Sequence, residues 1–129
     1  MIPALVLALA AGQFVPERDL PLALHGECIY PAALAQFAPG ATPLLCQTVV
    51  ATEEEVEFRQ RQVPGGIHFI GTWHDGQLQL TSMQVRAGKP VDAQGFCKIY
   101  FANETISMVT CRADAGGQTY VGNFRKVTF

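Results

Sequence analysis

No surplus of positive charge marks this chain: across its 129 residues, nine Lys and Arg stand against eleven Asp and Glu, a formal net charge of -2. Phosphate contacts need Lys and Arg concentrated on one face, so no nucleic-acid partner is expected. The sequence also lacks CxxC and HxxxH spacing, which removes the common zinc-binding frameworks. Its only serines are Ser82 and Ser107, and neither lies in the tight glycine-flanked turn of a nucleophile elbow. The longest purely apolar stretch, residues 1–12, falls well short of the ~20 residues a bilayer-spanning helix needs, so no stable membrane span is expected in the mature chain. These absences leave no residue assigned to catalysis, and no metal or cofactor is expected.

What the chain does have begins with MIPALVLALAAG, residues 1–12, an uncharged apolar run followed at once by the polar QFVPERD. The run fits the apolar region of a secretory signal, with Ala8 and Ala10, or Ala10 and Gly12, placed for a signal peptidase. No Lys or Arg precedes it, so the initiator amine or an upstream start would have to supply the positive charge. The alternative is a buried N-terminal strand or helix. The expected organisation is a signal peptide over 1–12 and a single domain over 13–129, in a periplasmic or secreted protein. No cysteine follows the run to carry a lipid anchor of the bacterial lipoprotein type.

Four cysteines, an even number, behind such a segment predict disulfides. Of the possible pairings, Cys28 with Cys46 and Cys97 with Cys111 each close a local loop. Each such bridge is worth about 3 kcal/mol when unstrained.

Prolines at 16, 21, 31, 39 and 43 cut the segment after the signal into short pieces. A strand is expected around Leu22 to Ile29, and a short helix from Pro31 to Ala38, where Pro suits the first turn and Pro39-Gly40 stops it. In ATEEEVEFRQRQV, Thr52 and Glu55 make a capping box, but a helix there would own almost no apolar stripe. Val56 and Phe58 alternate with Glu57 and Arg59, which favours a half-buried strand.

GIHFIGTWHDGQLQLTSMQV reads as a hairpin around Asp75-Gly76, pairing His74 with Gln77, Trp73 with Leu78 and Gly71 with Leu80. Ile67, Phe69, Trp73, Leu78 and Leu80 then share a core face. Beyond Thr81 the apolar parity flips to Met83 and Val85, which calls for a bulge or a crossing between sheets. In GFCKIYFANETISMVTCRA, opposing Cys97 to Cys111 pairs Ile99 with Val109 and Phe101 with Ser107, leaving a three-residue loop of Asn103, Glu104 and Thr105. A two-residue turn at Asn103-Glu104 would put Cys111 on the opposite face from Cys97, so the bridge and that turn are expected to exclude each other. After RAGKPVDAQG and ADAGGQ as connections, TYVGNFRKVTF supplies a last strand. The fold expected is all-β, a small antiparallel meander closing as a barrel or a two-layer sandwich, with the short helical insert near its N-terminus.

The histidines offer little chemistry by spacing. His68 and His74 share one strand face, but six residues at ~3.3 Å put them ~20 Å apart, too far to share a metal ion. His25 near Cys28 and Cys46 has no supporting ligand motif. Glu53, Glu54, Glu55 and Glu57 contain carboxylates of the type used in glycoside cleavage, but a contiguous acidic run ordinarily forms a solvated face. Asn103-Glu104-Thr105 matches an N-glycosylation acceptor, although Asn also simply suits a turn. Phe129 as a terminal aromatic fits an outer-membrane barrel, but Asn123 and Arg125 interrupt the apolar alternation such a strand needs.

The departure from an ordinary hairpin lies at Phe96, Tyr100, Ile106 and Met108, apolar residues on the face opposite Cys97, Ile99, Val109 and Cys111. Either this hairpin is covered on both sides, by the proline-rich N-terminal segment, or Phe96, Lys98, Tyr100, Met108 and Arg112 form an exposed binding patch. Up to Val85 eight acidic residues outnumber three basic ones, whereas from Arg86 onward six basic residues face three acidic ones. The patch therefore suits an unknown protein or an anionic ligand. The function expected is a non-catalytic binding or structural module; the alternative is a small periplasmic hydrolase or metal-binding protein with a polar cleft around His25 or His74.

Overall fold

The computed structural model describes residues 20–31, 39–103 and 105–127. The predicted signal peptide, residues 32–38 of the predicted helix, Glu104 and Phe129 lie outside the described residues. Among those described, the chain forms strands and no helix: β1 (Leu22–Cys28), β2 (Thr42–Pro43), β3 (Thr48–Ala51), β4 (Glu55–Arg59), β5 (Ile67–His74), β6 (Gln77–Val85), β7 (Val91–Asp92), β8 (Gln94–Ala102), β9 (Thr105–Ala115) and β10 (Gln118–Lys126). The acidic stretch is thus a strand, β4, because burying Val56 and Phe58 on one side outweighs the local helix signals.

Strands β1, β3, β4, β5, β6, β8, β9 and β10 pair antiparallel in that order, and β10 returns to pair with β1. The meander is therefore a closed barrel and not a sandwich. Closure happens within β1, whose first half pairs with β3 (Leu22 opposite Ala51) and whose second half pairs with β10 (Cys28 opposite Phe124). Gly26 sits at the changeover. A Cβ there would lie 2.0 Å from the Arg125 carbonyl oxygen, so only glycine lets the two strands meet at this seam.

An eight-stranded barrel has a lumen just wide enough for side chains to fill. Here Val49, Val56, Phe58, Phe69, Leu78, Met83, Ile99, Val109 and Phe124 fill it, each essentially fully buried. Phe58 and Phe69 meet edge to face with ring centroids 5.5 Å apart. Cys97 and Cys111 stand directly opposite one another on β8 and β9, bonded and completely buried. Trp73, half-buried, donates from its indole nitrogen to the Thr52 carbonyl at 2.9 Å, tying the β5 end to the β3–β4 connection.

The β5–β6 hairpin follows the expected register, His74 with Gln77 through Gly71 with Leu80. Asp75 and Gly76 both have positive φ, as a tight two-residue hairpin turn requires. Ile70 then pairs with Ser82, so Thr81 is the extra residue of a bulge, and Met83 returns to the interior opposite Phe69. Val85 shares that parity but is 44% exposed, because it lies where the strand leaves the barrel. In the predicted connection after it, Val91 and Asp92 form the short β7 against β6. The predicted ADAGGQ turn is tighter than expected: β9 continues through Ala115 and β10 begins at Gln118, leaving Gly116-Gly117.

The β8–β9 hairpin corrects the expected loop. Cys97 opposes Cys111 and Tyr100 opposes Met108, but Phe101 then opposes Ile106 and Ala102 opposes Thr105. Ser107 is bulged out of the ladder, so a two-residue connection and the disulfide coexist. The incompatibility expected between them holds only for a ladder without an extra residue, and the bulge restores the parity. It also turns Ile106 inward against the core, removing it from the outer apolar face where the alternation had placed it.

The second disulfide, Cys28 to Cys46, ties the end of β1 to the chain entering β3. The segment it brackets reaches the outer wall of β10. Parallel β2 pairs with Tyr120 and Val121, the Leu44 amide donates to the Val121 carbonyl at 2.9 Å, and the Tyr30 hydroxyl bonds the Leu44 and Val121 carbonyls. Burial raises the Tyr30 phenol pKa above its ordinary value. Buried Asn123 completes the contact, accepting from the Thr110 hydroxyl at 2.6 Å and donating to the Ile29 carbonyl at 2.9 Å. Both disulfides match the expected pairing and no described cysteine is free, which places the fold's chemistry in an oxidising environment.

Candidate functional site

On the outer wall, β8 presents Phe96, Lys98 and Tyr100, while β9 presents Arg112, Thr110 and Met108 across from them. This follows from alternation, because Cys97, Ile99, Val109 and Cys111 occupy the intervening inward positions. The predicted patch residues therefore share one face. Tyr100 is 39% exposed, and Phe96, Lys98, Met108 and Arg112 are half-buried.

The Lys98 ammonium lies 5.1 Å from the centroid of the Tyr100 ring, a cation–π contact that holds a positive charge against an exposed aromatic face. Both residues line a depression of about 280 Å³ whose other wall is the β5–β6 turn, Asp75, Gly76 and Gln77. The N-terminal segment covers the neighbouring wall at Val121 and Asn123, so one side of the hairpin's outer face is roofed and Tyr100 remains open.

The alternative cleft residues fall elsewhere. Exposed His25 lines a depression of about 430 Å³ with Gln47, Arg59, Gln60 and Arg61, which brings it guanidinium and amide groups. Glu27, two residues on, is exposed and faces Arg125 at 3.6 Å. His74 is exposed and pairs with Asp75 at 3.3 Å beside the hairpin turn. Two strands of the barrel wall, β3 and β4, stand between β1 and β5. His25 and His74 thus belong to separate sectors.

A second polar cluster was hidden in the sequence. The acidic run is not uniformly solvated: Glu53 and Glu54 are exposed, Glu55 is half-buried and Glu57 is buried on the outer wall. Cross-strand pairing sets Glu57 directly opposite His68, with Glu55 diagonal to it. His68 Nδ1 lies 2.9 Å from Glu55 Oε2, and its Nε2 lies 3.6 Å from Glu57 Oε2. Arg59 takes the other oxygen, Glu57 Oε1, at 2.9 Å. That hydrogen bond, with the nearby charge, raises the Arg59 pKa above its ordinary value. Alternation in β4 contained the signal, since it puts Glu55 and Glu57 on one face, but the partner strand and its register did not follow from it.

Comparison of the chain with protein-family models, curated proteins and solved structures finds no match.

Proposed function

We propose that the protein is exported, into the periplasm or out of the cell, and acts as a non-catalytic binding module. Its docking face is Phe96, Lys98, Tyr100, Met108 and Arg112, and its partner is a protein presenting an acidic segment. The observation that carries this reading is the open Tyr100 ring with Lys98 held against it, over a depression of about 280 Å³. An aromatic anchor with a neighbouring cation favours an acidic, partly apolar ligand, whereas an isolated surface charge would give little affinity. The two disulfides support the exported setting, and the apolar 1–12 segment supplies a signal for it.

The test is to pan the oxidised protein against a displayed peptide library, beside Tyr100→Asp and Lys98→Glu variants matched for unfolding midpoint. Enrichment of acidic sequences that both variants lose is the expected result. Enrichment without charge bias, or unchanged in the variants, would rule out this face as the docking surface.

A further inference from the structure

We propose that Glu55, Glu57 and His68 form a binding site for a divalent transition-metal ion of the zinc type. The cluster lies on the β4–β5 wall, in a different sector from the aromatic face on β8 and β9, and its argument is independent of that face. Among the described residues, these three side chains converge so that one donor atom from each lies within 4.8 Å of the other two. Tetrahedral zinc with ligand bonds of about 2.1 Å sets its donors about 3.4 Å apart, so small side-chain rotations close the set around an ion. One imidazole nitrogen and two carboxylate oxygens suit zinc and its neighbours, and three protein ligands leave a position for water.

Two further features separate this cluster from an ordinary surface ion pair. The Glu57 side chain is only 9% exposed, and its carboxylate is oriented at both oxygens: Arg59 binds Oε1, while Oε2 points toward His68. A partner on the non-ligating oxygen is how a metal-binding carboxylate is commonly held in place. The backbone also makes room for this pose. A Cβ on Gly66 would stand 2.4 Å from Glu57 Oε2 and 2.7 Å from its Cγ, so the carboxylate lies where any other residue at 66 would put a side chain. With Arg59 compensating one of the two carboxylate charges, the site carries net charge -1 before His68 is counted, which favours a dication without the repulsion of an uncompensated acidic pair.

The experiment is calorimetric titration of Zn²⁺ into chelator-treated, oxidised full chain, followed by Co²⁺ substitution read by visible absorption. One ion per chain is expected, with a Co²⁺ spectrum of a nitrogen–oxygen tetrahedral site. His68→Ala should weaken binding at least tenfold, while His25→Ala and His74→Ala leave it unchanged. Gly66→Ala is the second variant, since the three atoms nearest its added Cβ all belong to the Glu57 side chain and none to the backbone. It should weaken binding about tenfold and keep the metal-free unfolding midpoint. No binding at millimolar Zn²⁺, binding lost in the His25 or His74 variants, or binding insensitive to both His68→Ala and Gly66→Ala would each overturn the proposal.

Discussion

The two long hairpins of the barrel, β5–β6 and β8–β9, are built alike and yet read very differently. Each has a tight connection, a run of regular pairs, and one extra residue on its second strand, Thr81 in one and Ser107 in the other. In β5–β6 the outward residues include Gln77, Gln79 and Ser82, so the inward set Leu78, Leu80 and Met83 visibly changes parity at the bulge. In β8–β9 the outward residues include Phe96, Tyr100 and Met108, and an apolar outer face hides the same change. A bulge is legible where one face of the strand is polar, because register is marked only by contrast between faces. The lost contrast coincides with the face proposed to bind.

The largest expected contrast comes from introducing charge on either side of the Ser107 bulge. Ile106→Asp places a carboxylate against the core and should cost about 2–4 kcal/mol, whereas Met108→Asp on the outer wall should cost under about 1 kcal/mol. Urea unfolding of the two variants measures this directly, and equal losses would mean that Ile106 does not face inward. Next in size is removal of the β8–β9 staple. Cys97→Ala with Cys111→Ala should cost about 3 kcal/mol in loop entropy alone, and more from lost packing, since both sulfurs are fully buried. The β5–β6 hairpin has no such bridge, so hydrogen exchange should rise more in β8–β9 of that variant than in β5–β6.

A smaller effect on stability is expected at the patch. Tyr100→Asp should change the unfolding free energy by under about 1 kcal/mol, given its exposure and a single surface cation–π contact. A larger loss would identify Tyr100 as a packing residue and weaken the case for a docking role. The smallest change should follow deletion of Ser107. Met108 opposite Tyr100 and Ile106 opposite Phe101 would then be consecutive pairs in a regular ladder, at a cost under about 1 kcal/mol. Intact mass before and after reduction should still show both disulfides. Loss of the Cys97–Cys111 bridge would show that the bulge, and not the pairing beyond it, holds the cysteines in register.

Particular residues explain how far the site was legible. Phe96, Lys98 and Tyr100 alternate with Cys97 and Ile99 on one strand, and a disulfide across the hairpin adds Met108 and Arg112, so the patch followed from local sequence. Glu57 and His68 are eleven positions apart in the chain and meet only through β4–β5 pairing. Their connection contains Pro64, Gly65 and Gly66 rather than a recognisable two-residue turn, so nothing local set that register. Ile106 and Met108, two residues apart and both apolar, were inseparable until the bulge assigned one to the core.

Local patterning was enough for an all-β chain, for the two long hairpins, for both disulfide pairings and for the break in parity after Thr81, because alternation, turn chemistry and loop closure act over a few residues. Barrel closure, the roofing of β10 by the segment after β1 and the meeting of Glu55, Glu57 and His68 were decided by the tertiary structure. Each depends on which edges find one another, as where Gly26 lets β1 leave β3 and reach β10. Edge pairing is governed by backbone hydrogen bonds that every residue except proline can donate, so side-chain pattern carries little information about it.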